Sequence, residues 1–401
     1  MSALLLRNAR LLDPAAGEYT EGDLRCAGGR IVETGTGLKA DDVPVIDVRG
    51  GVVVPGLIDA HVHVTASTAD LGSLPAQSPS YVAAHSVNTM GRMLERGFTT
   101  VRDASGADFG LADAQAEGLF RGPRLLFCGR ALSQTGGHGD SRGRGTYRHD
   151  DHPCCAGLGR IADGVDAVRA AARDELRKGA HHLKVMASGG VASPTDRIDS
   201  VQYSAEELRA IVEEAEGANR YVAAHAYTAR AVNRALELGV RSIEHGNLLD
   251  DRSVELFLEH DAFLVPTLVT YWALKEEGRE HGLPESSWRK VDEVLGAGLA
   301  ALERAARGGV KIVYGSDLLG GMHRHQNHEF RLRAEVQRPL DVLRSATSVA
   351  AELVGMTGEI GTLAPGAHAD LLVLDGDPLA DIGVLAAPER FRAIIQGGVP
   401  L

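Results

Sequence analysis

The chain is poor in aromatics, in cysteine and in positive charge, and it has no long apolar run. Aromatic side chains make up only 4% of its 401 residues, too few for the stacking platforms that hold single-stranded nucleic acids. Asp and Glu outnumber Lys and Arg by 54 to 42, a formal net charge of −12, which argues against nucleic acid or an anionic membrane surface as a partner. The four cysteines are Cys26, Cys128, Cys154 and Cys155; none has zinc-ribbon spacing, and the adjacent pair is poor geometry for a disulfide. A reducing, cytoplasmic setting is therefore expected. Ala3-Leu4-Leu5-Leu6 is broken at once by Arg7, too soon for a signal segment, and no later run reaches membrane-spanning length. What remains is an ordinary soluble composition with abundant glycine, 48 residues, which suits many tight turns between strands and helices.

One stretch organises the rest. Val52-Val53-Val54-Pro55-Gly56-Leu57-Ile58-Asp59-Ala60-His61-Val62-His63-Val64 opens as an apolar, β-branched run, the pattern of a buried strand. It ends in two histidines one residue apart. On a strand, residues i and i+2 face the same side, so His61 and His63 can address one point while Val62 packs the other way. An isolated His-x-His is more often just a strand end, so the remaining chain must decide.

From about residue 57 to 360, strands alternate with helical patterns. The strand candidates after the opening one are Thr99–Asp103, Arg124–Cys128, His182–Met186, Tyr221–His225, Ser242–His245, Phe263–Pro266 and Lys311–Gly315. Gly164 to Lys178 carries apolar residues at helical spacing, and Ser204-Ala205-Glu206-Glu207 reads as a helix start with Ser204 as N-cap. Eight strands separated by helices predict an α/β fold, a (β/α)8 TIM barrel, with a doubly wound sheet as the alternative. Residues 1–56 are β-rich, with separate short runs at Leu4-Leu5-Leu6, Leu11-Leu12 and Ile31-Val32, and residues 361–401 look similar. The two ends are expected to pair into one small, discontinuous β-domain, a composite β-sandwich beside the barrel of residues 57–360.

Barrel active sites lie at the C-terminal ends of the strands. Strand one ends there in His61 and His63, strand four carries Lys184, strand five ends in His225, strand six in His245 and strand eight in Asp317. Two divalent ions roughly 3.5–4 Å apart can activate water and polarise a carbonyl together. Neutral imidazoles and carboxylates suit zinc, manganese or similar ions. Lys184 is the odd member. It is either one half of a buried salt bridge or, after reaction with CO2, an anionic carbamate able to bridge two metals.

With these residues in view, the chain resembles the amidohydrolase superfamily. Pro55-Gly56-Leu57-Ile58-Asp59-Ala60-His61-Val62-His63 is similar to its opening motif, His225, His245 and Asp317 match its strand five, six and eight positions, and Lys184 matches the carbamylated lysine of its binuclear members. Gln134-Thr135-Gly136-Gly137-His138-Gly139, Ile243-Glu244-His245-Gly246-Asn247-Leu248 and Gly315-Ser316-Asp317-Leu318-Leu319-Gly320 resemble the branch related to imidazolonepropionase. That branch holds Xaa-Pro dipeptidases (prolidases), Xaa-Arg or Xaa-Lys carboxypeptidases and ochratoxin-type amidases. The resemblance implies His61, His63 and Asp317 on one metal, His225 and His245 on the other, and Lys184 bridging, with zinc as the expected metal. It further implies a metal-dependent hydrolase of amide or peptide bonds in which Asp317 shuttles the proton from water to the leaving amine. The expected enzyme cleaves a dipeptide or other small molecule next to a free α-carboxylate, as a prolidase-like Xaa-Pro dipeptidase or N-acyl amino acid hydrolase; an Xaa-Arg or Xaa-Lys carboxypeptidase and an ochratoxin-type aryl amide hydrolase are the enzyme alternatives, and a catalytically silent scaffold relative is the alternative of another class. A homo-oligomer is expected, with neither nucleic acid nor membrane as partner.

Other residues are candidates for substrate contact. His138, in a glycine-rich loop after strand three, can polarise the carbonyl or pair with the substrate carboxylate. Tyr227 lies two residues past His225 and can donate to the same carboxylate. Gly190 and Val191, in Ser188-Gly189-Gly190-Val191, can offer backbone N–H groups to an anion. His323, in Gly321-Met322-His323-Arg324-His325, is expected on a loop lining the site. Arg142, Arg144 and Arg148 form a short basic loop.

Overall fold

A computed structural model describes residues 3–146 and 157–401; Arg148, Cys154 and Cys155 lie outside the described residues. The chain divides into two units, residues 1–59, 92–100 and 327–401 in one and residues 60–91 and 101–326 in the other.

The first unit is built on an eight-stranded sheet fed by both ends of the chain. Its order runs Val399–Pro400, Phe391–Gln396, Leu371–Leu374, Val52–Pro55, Ala3–Asp13, Glu18–Ala27, Arg30–Gly35, with Val45–Asp47 also pairing to Ala3–Asp13. The two termini meet where Leu371–Leu374 runs antiparallel to Val52–Pro55. One core holds residues from both ends, including Leu4, Leu6, Leu24, Ile31, Val53, Leu371 and Val373. The runs at Leu4–Leu6 and Leu11–Leu12 are not separate strands. They are one strand, Ala3–Asp13, whose register shifts between Leu6 and Ala9. Asn8 sits in that shift with φ of 55°. Asn tolerates the left-handed region better than most residues, so it can occupy the bulge there.

The other unit carries the barrel. Strands Leu57–Val62, Phe98–Asp103 and Arg124–Leu126 form one sheet, and the boundary between units falls within the first two. A second sheet runs Gly159–Ile161, Ala131–Ser133, Leu183–Met186, Val222–Thr228, Ser242–Leu248, Phe263–Val265, Lys311–Ile312. The eight anticipated strands are all present, and the third continues past Gly129 as Ala131–Ser133, which pairs with Leu183–Met186 through Leu132 and Val185. Gly159–Ile161 is an additional short strand. The ring closes where Ala60 N–H donates to the Tyr314 carbonyl at 2.8 Å. The strands are mostly apolar and buried on both faces, as parallel barrel strands must be, with a few buried charged residues such as Arg102, Lys184 and Glu244. Short connections follow them. Thr228 ends one strand and caps the helix Ala229–Glu237, and Ser204 forms a reciprocal capping box with Glu207 at the start of Ala205–Gly217. Among the described residues no helix is long and apolar enough to cross a membrane.

Candidate active site

The strand ends bring the candidate ligands to one place. Asp317 Oδ1 lies 3.1 Å from His63 Nε2 and 3.4 Å from His61 Nε2, and Asp317 Oδ2 lies 4.0 Å from His245 Nδ1. Ligand atoms of His61, His245 and Asp317 all fall within 4.8 Å of one another. The His225 and His245 rings are 4.6 Å apart. Lys184 joins them on the wall of the same cavity and is only 2% exposed.

Each imidazole is fixed through a ring nitrogen. His61 Nδ1 meets Glu244 Oε2 at 2.6 Å, His63 Nδ1 meets the Ser105 carbonyl at 2.9 Å, and His225 Nε2 meets the Gly189 carbonyl at 3.1 Å. These partners only accept, so the held nitrogen carries the hydrogen; in His61 and His225 the opposite nitrogen then presents a lone pair, as a metal ligand requires, whereas the opposite nitrogen of His63 faces Asp317 Oδ1 at 3.1 Å. His245 Nδ1 pairs with Thr267 Oγ1 at 2.8 Å. Burial keeps His225 and His245 well below the ordinary histidine range and, with Lys184 nearby, lowers His61 to about 4. Burial also pulls His63 down, but the hydrogen bond and charge of Asp317 outweigh it and its pKa is raised. Burial would raise Asp317, yet His61 and His63 hold it well below the usual carboxylate range. The set is therefore mostly neutral imidazole around an ionised carboxylate, a donor set suited to divalent cations.

Lys184 is not one half of a salt bridge. Among the described residues no carboxylate lies within ion-pair distance of its ammonium. Burial lowers its pKa. Burial outweighs the more distant charges of Glu244 and Asp317, and a buried amine with no contacting ion-pair partner is drawn to its neutral form, the form that reacts with CO2.

The backbone here is strained at three points. His245, Thr267 and Asp317 have φ of 76°, 48° and 52°, in the left-handed region that non-glycine residues enter at a cost of about 1–3 kcal/mol each. His245 lies within the strand Ser242–Leu248, and Thr267 and Asp317 follow the two neighbouring strands Phe263–Val265 and Lys311–Ile312.

The substrate-contact candidates divide. The His138 ring stacks on His225 at 4.1 Å and pairs with Ser193 Oγ at 2.8 Å through Nδ1, with Asp196 Oδ2 at 3.6 Å. Val191 and Tyr227 line the cavity, and the Tyr227 hydroxyl accepts from Tyr271 at 3.0 Å. Gly190 supports His138 from beneath: a Cβ there would stand 2.3 Å from His138 Cε1. His323, 6% exposed, is buried in the helical turn Gly320–His328 and is not among the residues lining the cavity; Leu319 lines that side. The structure adds partners that sequence patterns passed over: Glu244 and Arg102 behind His61, and Ser193 and Asp196 behind His138. A charged residue inside an otherwise apolar strand, as at Arg102 and Glu244, was the available signal. The cavity has a volume of about 90 Å³. At about 15 Å³ per water site that is room for a handful of waters.

Residues 52–399 match the model of the amidohydrolase family. The chain belongs to that family. This amidohydrolase is 34% identical over 367 residues to the ochratoxinase of Aspergillus niger, an alignment covering 87% of the chain and 75% of the relative. A solved structure of a prolidase complexed with N-methylphosphonate-L-proline is 51% identical, with a TM-score of 0.97 over 100% of this chain and 99% of that one. A solved Xaa-Pro dipeptidase with methionine bound in its active site is 28% identical, with a TM-score of 0.88 over 100% of both chains. The amidohydrolase is thus a hydrolase acting on amide bonds, on a TIM-barrel fold.

Proposed function

We propose that this amidohydrolase is a binuclear metal-dependent enzyme that cleaves an amide bond next to a free α-carboxylate, as an Xaa-Pro dipeptidase or N-acyl amino acid hydrolase. His61, His63 and Asp317 would hold one divalent ion, His225 and His245 the other. Lys184 would join them as a carbamate: its neutral amine adds to CO2 and loses one proton. Two such ions, with zinc as the candidate, supply Lewis acidity to the amide carbonyl and a water of lowered pKa. Asp317, ionised at rest, takes the proton of the attacking water and delivers it to the leaving nitrogen, which for an Xaa-Pro substrate is the proline ring nitrogen. His138 is held by Ser193 to face the cavity, and with Tyr227 it receives the substrate carboxylate.

The observation that carries the substrate class is the charge of the cavity wall. Among the described residues lining it, Asp317 is the only carboxylate, and the walls include Leu71, Val191, Leu274 and Leu319. Among the described residues an Arg or Lys side chain of a substrate would find no counter-charge there apart from the proposed ligand Asp317, whereas an apolar side chain or a proline ring is well matched. The likeness to a prolidase that holds a proline phosphonate supports the same choice. A second reading, an aryl amide of an amino acid, is favoured by the likeness to ochratoxinase. A panel of Xaa-Pro, Xaa-Arg and Xaa-Lys dipeptides, N-acyl amino acids and ochratoxin-type amides tests this. The highest kcat/KM is expected for Xaa-Pro or N-acyl-proline; a preference for basic dipeptides or for the aryl amide would overturn it.

A further inference from the structure

The histidine nearest the start of the barrel is held by a buried charge network whose other members come from two other strands. Glu244 and Arg102 are both 0% exposed. A buried carboxylate is costly unless its oxygens are fully used. Here they are. Arg102 Nη2 donates to both oxygens at 2.8 Å, Ser242 Oγ donates to Oε1 at 2.5 Å, and His61 Nδ1 lies 2.6 Å from Oε2. Arg102 is fixed in turn by its Nε, which donates to the Ala60 carbonyl at 2.5 Å, one residue before His61.

We propose that Glu244, locked in place by Arg102 and Ser242, is the positioning residue that fixes His61 as its Nδ1–H tautomer and so dedicates His61 Nε2 to a divalent cation. This rests on the assignment of His61 as a ligand in the preceding section, and it concerns the metal site alone. Arg102 and Ser242 already direct three hydrogen bonds at the two oxygens, and the carboxylate has no hydrogen of its own to give. His61 Nδ1 can therefore only donate, and its lone pair must lie on Nε2, 3.4 Å from Asp317 Oδ1. The negative charge beside Nδ1 also raises the basicity of Nε2. Arg102 does two things at once. It neutralises a carboxylate that would otherwise be unpaired under the cations, and it anchors the strand that presents His61.

Two measurements test this without any substrate, so the substrate assignment can fail while the network stands. The first uses metal-free wild-type protein and ¹⁵N-resolved NMR of the His61 ring. A hydrogen on Nδ1 with a bare Nε2 is expected; a hydrogen on Nε2, alone or with Nδ1, overturns the proposal. The second is a zinc titration of E244Q after chelation, with circular dichroism as a check on folding. The affinity for one of the two ions should fall about 10- to 100-fold while the other ion binds as in wild type. Wild-type affinity for both ions, or equal weakening of both, overturns the proposal. Should E244Q fail to fold, the wild-type NMR result decides alone.

Discussion

The sharpest single-atom test of the proposed substrate site is Gly190→Ala. A Cβ at Gly190 would lie 2.3 Å from Cε1, 2.6 Å from Nδ1 and 2.7 Å from Nε2 of His138. Non-bonded carbon contacts settle at about 3.5–4.0 Å, so the ring must retreat by roughly 1 Å or more. It cannot do so freely, because it stacks on His225 at 4.1 Å and bonds Ser193 at 2.8 Å, and any retreat strains or breaks those contacts. The φ of Gly190 is not in the left-handed region, so alanine fits the backbone and the effect is confined to the ring. Misplacing a positioning group by about 1 Å can cost on the order of 100-fold in rate. The expected outcome is a kcat/KM on Xaa-Pro dipeptides lowered roughly 100-fold, with metal content unchanged and a stability loss of about 1–3 kcal/mol from overpacking. The assay compares free dipeptides with their C-terminal amides. If His138 receives the carboxylate, the amidated substrates, already poor, lose far less. A variant with wild-type kcat/KM on the free dipeptides would refute the placement of His138 in the site.

Three further outcomes follow from the same geometry. Lys184→Ala removes the group proposed to join the two ions and should lose most bound metal and activity; a metal-replete, active variant by elemental analysis and turnover would remove Lys184 from the centre. Asp317→Asn should keep part of the metal while turnover falls by about 10²- to 10⁴-fold, the usual worth of a proton shuttle, and a near-normal rate would dismiss that role. Gly56→Ala places a Cβ 2.2 Å from Thr99 Oγ1, and urea unfolding should show a loss of about 1–3 kcal/mol. An unchanged midpoint there would mean that Thr99 gives way without cost.

Much of the barrel was legible because its signals are local. Apolar runs of strand length ending in polar residues mark the strands, and the i, i+2 spacing of His61 and His63 puts both on one side. Ser204 and Glu207 announce their helix by a capping pattern spanning a single turn. What escaped was set by distance along the chain or by backbone geometry. Arg102 and Glu244 are 142 residues apart, and Glu244 and His61 are 183 apart, so no spacing rule connects them. His323 and His325 alternate as strand residues would, but Gly320–His328 winds as a 3₁₀ helix, whose period of three turns that alternation into different directions. His323 is buried as a result, while His325 pairs with Glu277 at 2.9 Å. The bulge at Asn8 and the extension of the third barrel strand past Gly129 likewise depend on φ values that composition does not encode.

The central claim is that six side chains, on or just after five strands, hold a pair of ions rather than one. Elemental analysis of the dialysed protein, alongside Lys184→Ala, tests it most directly. About two divalent ions per wild-type chain, far fewer in the variant, and an amidase activity abolished by chelator and restored by metal are the predicted results. About one ion per chain, or a metal-free protein whose activity ignores chelators, would contradict the account.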